Sequence, residues 1–221
     1  MEDNPNLTTI GRMMDGEADF FWDAFVALNV NGITGDYAEF GCHTGGSFSM
    51  AYRAVGKLAP DRHMWAFDSW SALPEDHPRD AHPGWPLGVG GAGGVDNFHA
   101  ACERNGVPRS AYTTVEGFYK DSLPPLGDSG EPRDIALAYI DCDLYSSTVS
   151  VLDFLAPRLK HGMIVGFDDW FCWSPTEPSG ERVALEEFLG DHPQWRFYRY
   201  RNIHWSGLAF VVESTDSLPG A

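Results

Sequence analysis

Cysteine pairs, basic clusters and long apolar runs are what this sequence lacks. Its four cysteines, Cys42, Cys102, Cys142 and Cys172, include no pair at the CxxC spacing of a thiolate metal site, and nothing in a chain of 221 residues suggests a disulfide framework. Lys and Arg number 15 against 32 Asp and Glu, a formal net charge of −17 at pH 7. Phosphate backbones and anionic bilayers are gripped by clustered Lys and Arg, so that balance argues against nucleic acid and membrane as partners. No apolar stretch approaches the roughly 20 residues of a membrane-spanning helix. The opening MEDNPNLTTIGRMMDGE also lacks the basic-then-apolar order of a signal peptide. The expectation is a soluble, cytoplasmic protein.

Against these absences stand 43% hydrophobic and 14% aromatic residues, ample for a buried core. No repeat or interdomain linker interrupts the chain, so a single domain over residues 1–221 is expected, with an N-terminal helical region at 1–34 and a core at 35–221. Apolar residues at helical spacing in Ala18–Val30 predict an amphipathic helix. Five short apolar runs then read as strands: Tyr37–Cys42, His63–Phe67, Thr113–Gly117, Ile135–Ile140 and Met163–Phe167. Helical patterns at Ser47–Leu58, Val95–Asn105 and Thr148–Leu159 lie between several of them. That alternation predicts an α/β fold, a mostly parallel sheet with helices on both faces. Trp195–Arg201 and Gly207–Glu213 have no helix between them and predict a closing antiparallel hairpin. Two long loops, about Trp70 to Val95 and the stretch after Trp170, have the length of lids or binding loops. The first contains GVGGAGG, which lacks the strand-to-helix setting and GK[ST] ending of a phosphate cradle and reads as a hinge or lid.

Three groups of residues carry chemistry. Glu39-Phe40-Gly41-Cys42-His43-Thr44-Gly45-Gly46-Ser47 joins a strand to a helix. Its glycines let the backbone pass close to a ligand, and Glu39 can accept from the ammonium of an adenosyl amino acid. A purely structural turn fits the same residues. Asp68, at the end of the next strand, stands where an acid accepts from ribose hydroxyls, or where one caps a loop. Asp141-Cys142-Asp143 and Asp168-Asp169 follow two further strands whose carboxyl ends share one sheet edge, which gathers up to four carboxylates. Such acids repel and shift one another's pKa. A hard divalent cation with oxygen ligands resolves the conflict, and magnesium is the chemical preference. Loop caps and ion pairs are the bland alternative. Of the histidines, His43 lies in the first motif, His161 precedes a strand and His204 lies in the closing hairpin; His43 or His204 could face the substrate or be structural. Trp170, Phe171 and Trp173 follow the last acids, as acceptor platform or as packing.

In this order, EFGCHTGGS, FDSWSALPE, VEGFYKDSLP, YIDCDLYSST and GFDDW resemble the macrocin O-methyltransferase family over roughly residues 35 to 172. The resemblance implies a class I, Rossmann-like methyltransferase fold with a seven-stranded sheet. It implies an S-adenosylmethionine- and magnesium-dependent enzyme that methylates a hydroxyl of a small molecule, a sugar of a natural-product glycoside, and that forms a homodimer. By that resemblance Asp141, Asp168 and Asp169 are the metal ligands, and Asp143, beside Asp141, is the general base. Glu39, Gly41, Gly45, Ser47, Asp68, Ser69 and Asp141 line the cofactor, with Gly117, Phe118 and Tyr119 near the adenine. The chain departs from the family in having few residues before its first strand and a loop from Asp76 to Gly94 rich in Pro and Gly. Rival readings are a metal-dependent methyltransferase of a phenol or catechol, a nicotinamide dehydrogenase, which needs a compact GxGxxG that EFGCHTGGS does not supply, and a catalytically silent cofactor-binding protein.

Overall fold

Every residue of Ile135–Ile140 is buried, as a strand covered on both faces requires. This strand, β4, lies at the centre of the sheet beside β1 (Asp36–Phe40), and the two pair in parallel. The computed structural model describes residues 5–74, 77–85, 87–88 and 91–217. From β1 the chain runs outward through β2 (Met64–Asp68) and β3 (Tyr112–Glu116), then returns to β4 and continues to β5 (Ile164–Phe167). It closes with β6 (Trp195–Asn202) and β7 (Leu208–Ser214), giving the order β3-β2-β1-β4-β5-β7-β6. Strands β1 to β5 are mutually parallel, and β7 is antiparallel to both β5 and β6. The order reverses between β1 and β4, and ligands of open α/β sheets bind in the crevice at that switch point.

Two hydrophobic layers flank the sheet. On one face α1 (Pro5–Val30) and α2 (Gly46–Leu58) supply Phe20, Phe21, Phe25 and Phe48, packed on Tyr37 and Tyr139, and α3 (Val95–Arg104) supplies Phe98, packed on Phe48 and Tyr112. On the other, α4 (Tyr119–Ser129), α5 (Tyr145–Leu155) and α6 (Gly180–Asp191) supply Leu123, Val151, Phe154 and Leu185. The phenylalanines of α1 therefore belong to the core, whereas Trp22 faces outward. No helix among the described residues is long and apolar enough to cross a membrane.

The expected hairpin and five parallel strands are present, each within one or two residues of its predicted bounds. Three elements differ from expectation. Helix α1 begins at Pro5 rather than Ala18, and Ile10, Met14 and Trp22, at multiples of four residues, line an exposed face of it and not the core. Helix α4 holds Pro124 and Pro125, residues that read as breakers, yet its buried Leu123 fastens it to the sheet. Helix α6 was hidden because its buried Ala184, Leu185 and Phe188 are interleaved with charged residues. Of the long loop, Glu75, Asp76, Pro86, Val89 and Gly90 lie outside the described residues, as do residues 1–4 of the N-terminal region.

Candidate active site

The turn after β1 brings two strand ends into contact. Gly41 adopts φ +95°, and a Cβ there would stand 1.7 Å from the carbonyl oxygen of Asp141, so only glycine lets β1 and β4 release their loops side by side. Next to it Asp68, the last residue of β2, accepts backbone N–H bonds from Cys42 at 2.8 Å, His43 at 2.7 Å and Trp70 at 2.6 Å. A carboxylate has about four acceptor positions, so this one holds the loop and keeps capacity for a ligand. Gly41, His43, Asp68, Ser69, Gly117, Phe118, Tyr119, Asp141 and Asp143 all line one cavity of about 510 Å³. That size suits a small-molecule ligand.

Glu39, Gly45 and Ser47 lie beneath this cavity and are not part of its wall. Glu39 is fully buried and accepts from the Ser47 hydroxyl at 2.7 Å and from the Tyr37 hydroxyl. Burial pushes its carboxyl up to about 8. Gly45 caps α2 with φ 78° and sits against the Phe98 ring. Sequence reasoning missed Ser146, Ser147 and Ser150, which also line the cavity. Their spacing puts Ser146 and Ser150 on one face of α5, a signal that was available.

The predicted acids do meet. One carboxylate oxygen from each of Asp141, Asp168 and Asp169 falls within 4.8 Å of the others. Backbone hydrogen bonding aims them: Asp141 N–H continues the ladder onto Phe40 at 2.8 Å, and Asp168 N–H onto Ile140 at 2.9 Å. Asp169 is held by its own backbone, its N–H donating to Glu181 at 2.9 Å and its carbonyl accepting from Ser179 at 2.8 Å. Burial, with the charges of the neighbouring acids, raises Asp141 and Asp169 well above the carboxylate range. Burial also pushes Asp143 up to about 6, against a hydrogen bond with Asp169 that lowers it. Glu181, at the start of α6, is a fifth acid beneath the site and was not singled out from sequence. Among the described residues Asp169 Oδ2 is buried without a hydrogen-bond partner. An oxygen-only ligand set containing such an orphan acceptor fits a hard divalent cation.

Asp143 stands at φ 61°, unusual for a residue with a side chain. Its carbonyl accepts from the Trp85 indole at 3.0 Å, so the long loop is tied to the strand end that carries the acids. Asp80 in the same loop is buried and accepts from Ser146 N–H at 2.9 Å and Ser146 Oγ at 2.6 Å. The described part of the loop ahead of its glycine run is thus a strap fastened to the strand end that carries the acids and to Ser146. The GVGGAGG run, expected to be a hinge or lid, includes Val89 and Gly90, outside the described residues. His43 is on the cavity wall, His161 is exposed, and His204 is buried against Asp168. Trp170 packs on Phe167 and Phe210, while Trp173 is exposed.

Known proteins resemble this chain in sequence and in fold. The chain is 32% identical over 148 residues to 8-demethyl-8-(2,3-dimethoxy-alpha-L-rhamnosyl)-tetracenomycin-C 4'-O-methyltransferase of Streptomyces olivaceus, covering 63% of this chain and 54% of that one. It is 29% identical over 184 residues to mycinamicin III 3''-O-methyltransferase of Micromonospora griseorubida, covering 73% and 63%. The chain thus spans between about half and two thirds of these relatives' length. The fold is similar to that of the O-methyltransferase NovP, with a TM-score of 0.69 at 21% identity over 89% of this chain and 79% of that one. Residues 2–189 match the macrocin O-methyltransferase (TylF) family, and the chain belongs to that family.

Proposed function

We infer that this protein transfers a methyl group from S-adenosylmethionine to a hydroxyl on the sugar of a natural-product glycoside, with magnesium held by Asp141, Asp168 and Asp169. The observation that carries the reading is a single cavity whose wall runs from Asp68 and Gly117–Tyr119 to Asp141 and Asp143, beside the acidic cluster. A nucleoside at one end would leave its reactive carbon near the acids at the other. The two curated relatives are named for methylation of glycosides, one of them a rhamnoside, which supports a sugar acceptor here.

In this mechanism Asp68 accepts from the ribose, and Phe118 and Tyr119 flank the adenine. Glu39 and Ser47, beneath the wall, shape the turn that meets the amino-acid end. The methyl donor's leaving group is a neutral thioether, so the chain's main task is orientation, which in well-aligned systems is worth about 7–11 kcal/mol. When bound, the cation supplies positive charge that acidifies an acceptor hydroxyl. Asp143 takes that hydroxyl's proton on its carboxylate, and its value of about 6 leaves it largely ionised at neutral pH.

The test is methyl transfer to a panel of rhamnosylated aglycones and catechols, each run with magnesium and with a chelator. Transfer to a glycoside is expected, falling by roughly 100-fold or more on chelation. Equal rates in both conditions would remove the metal from the mechanism. Transfer to catechols alone would replace the acceptor class, and no transfer together with no S-adenosylhomocysteine binding would end the methyltransferase reading.

A further inference from the structure

One oxygen of Asp168 is already occupied. His204, in the turn between β6 and β7, has a side chain only 2% exposed and brings Nε2 to 2.8 Å from Asp168 Oδ1. On the other side of the ring, the Ser206 backbone N–H and hydroxyl lie 3.3 and 3.2 Å from Nδ1. A backbone N–H can only donate, so Nδ1 is the acceptor and the ring proton sits on Nε2, directed at the carboxylate. The Tyr139 hydroxyl, reaching across from β4, donates to the same Oδ1. Neither bond draws on Oδ2.

The backbone is shaped to allow this meeting. Tyr139 pairs with Gly166 in the ladder, and a Cβ at 166 would come within 3.0 Å of the Tyr139 ring. In α1, a Cβ at Gly16 would stand 2.4 Å from the Ile203 carbonyl oxygen, so glycine there lets the helix close on the turn that carries His204. Glu17 follows, with its carboxylate 3.9 Å from His204 Nε2. Glu17, Asp168 and His204 form a second group of potential ligands that shares Asp168 with the first. Since Nε2 carries a proton and is spent on Asp168, this second group is a brace and not another cation site.

We propose that His204 is a positioning residue for the cation site: together with Tyr139 it saturates Oδ1 of Asp168, fixes the plane of that carboxylate and leaves Oδ2 to face the metal. The inference rests on the metal reading above. Partners that orient a metal ligand typically change affinity by about 10–100-fold when removed.

Manganese titration followed by electron paramagnetic resonance reads this directly, with no need of turnover. His204→Ala should weaken manganese binding by about 10–100-fold, with S-adenosylhomocysteine binding in chelator unchanged. His204→Gln, whose amide can still donate towards Asp168, should recover most of the loss. Tyr139→Phe removes one hydroxyl from an otherwise intact buried ring and should shift affinity the same way, which keeps the inference testable if His204→Ala does not fold. Unchanged manganese affinity in both His204→Ala and Tyr139→Phe would overturn this inference alone, provided that wild type binds the ion and Asp169→Ala does not. Failure of the wild-type protein to bind manganese would overturn the metal reading and this inference with it.

Discussion

A carboxyl that touches no solvent is easier to keep neutral than charged, and Glu39 is such a group even though two hydroxyls donate to it. Burial is the largest push upward, the bonds from Tyr37 and Ser47 oppose it, the Glu17 and Asp168 charges add to it, and the net result is a rise from 4.5 to about 8. The folded value lies above the unfolded one, so the folded state holds a proton that the unfolded state releases. The stability this gives is fully present below about 4.5 and is lost as pH rises towards about 8. Melting temperature in chelator should therefore fall between pH 5 and 8, and Glu39→Gln, which cannot ionise, should make that fall shallower. An identical slope in the variant would mean that Glu39 keeps its charge in the folded protein. The sequence showed an acid at the end of a strand but not its burial. Tyr37 stands two residues earlier on the same strand face, which is the pattern that places its hydroxyl against the carboxyl.

At the scale of elements, helix α5 begins without a cap of its own. Leu144 occupies the cap position and offers no side-chain oxygen, while the first turn still has unpaired N–H groups. Asp80 supplies the missing acceptor from a distant loop, taking the Ser146 N–H and hydroxyl and placing a carboxyl at the positive end of the helix. Nearby, Arg79 pairs with Glu187 of α6 at 2.9 Å and lies over the Tyr145 ring at 3.7 Å. The ion pair is exposed and contributes little, so the buried Asp80 contacts are expected to dominate. Asp80→Ala should lower stability by about 1–2 kcal/mol, the usual range for a lost helix cap, measured as a shift in the urea midpoint. An unchanged midpoint would mean that Trp85 and its bond to the Asp143 carbonyl hold the strap without Asp80. From sequence this segment reads as a lid or binding loop, because Pro and Gly mark where regular structure stops. They do not reveal that a carboxyl among them caps a helix far along the chain.

Across the whole molecule, the legible features were those set by periodicity along the chain. Alternating apolar runs gave the parallel strands, and acids just beyond two of them gave the cluster at the shared sheet edge. What depended on packing between distant segments stayed hidden: Glu17 from α1 and Glu181 from α6 converge on Asp168 and Asp169, and His204, visible as a candidate, could not be placed against Asp168. Such convergence costs stability, because like charges are drawn into a buried space, and function is the reason to keep them. Asp169 shows this most clearly, since its Oδ2 is buried with no partner among the described residues. In the metal-free protein Asp169→Asn should raise stability by roughly 1 kcal/mol or more, because it removes an unpaired buried acceptor. It also removes the cost of a proton the folded state must take up, since burial and the neighbouring acids hold the carboxyl well above its usual range. Magnesium should act the other way round. At 100 times its dissociation constant it should stabilise wild type by about 2.7 kcal/mol and leave Asp169→Asn nearly unmoved. Urea unfolding of both proteins, with magnesium and with chelator, measures all four corners. If the variant gained as much from magnesium as wild type, Asp169 would not be a ligand. If wild type gained nothing, the crowded acids would need an explanation other than a cation.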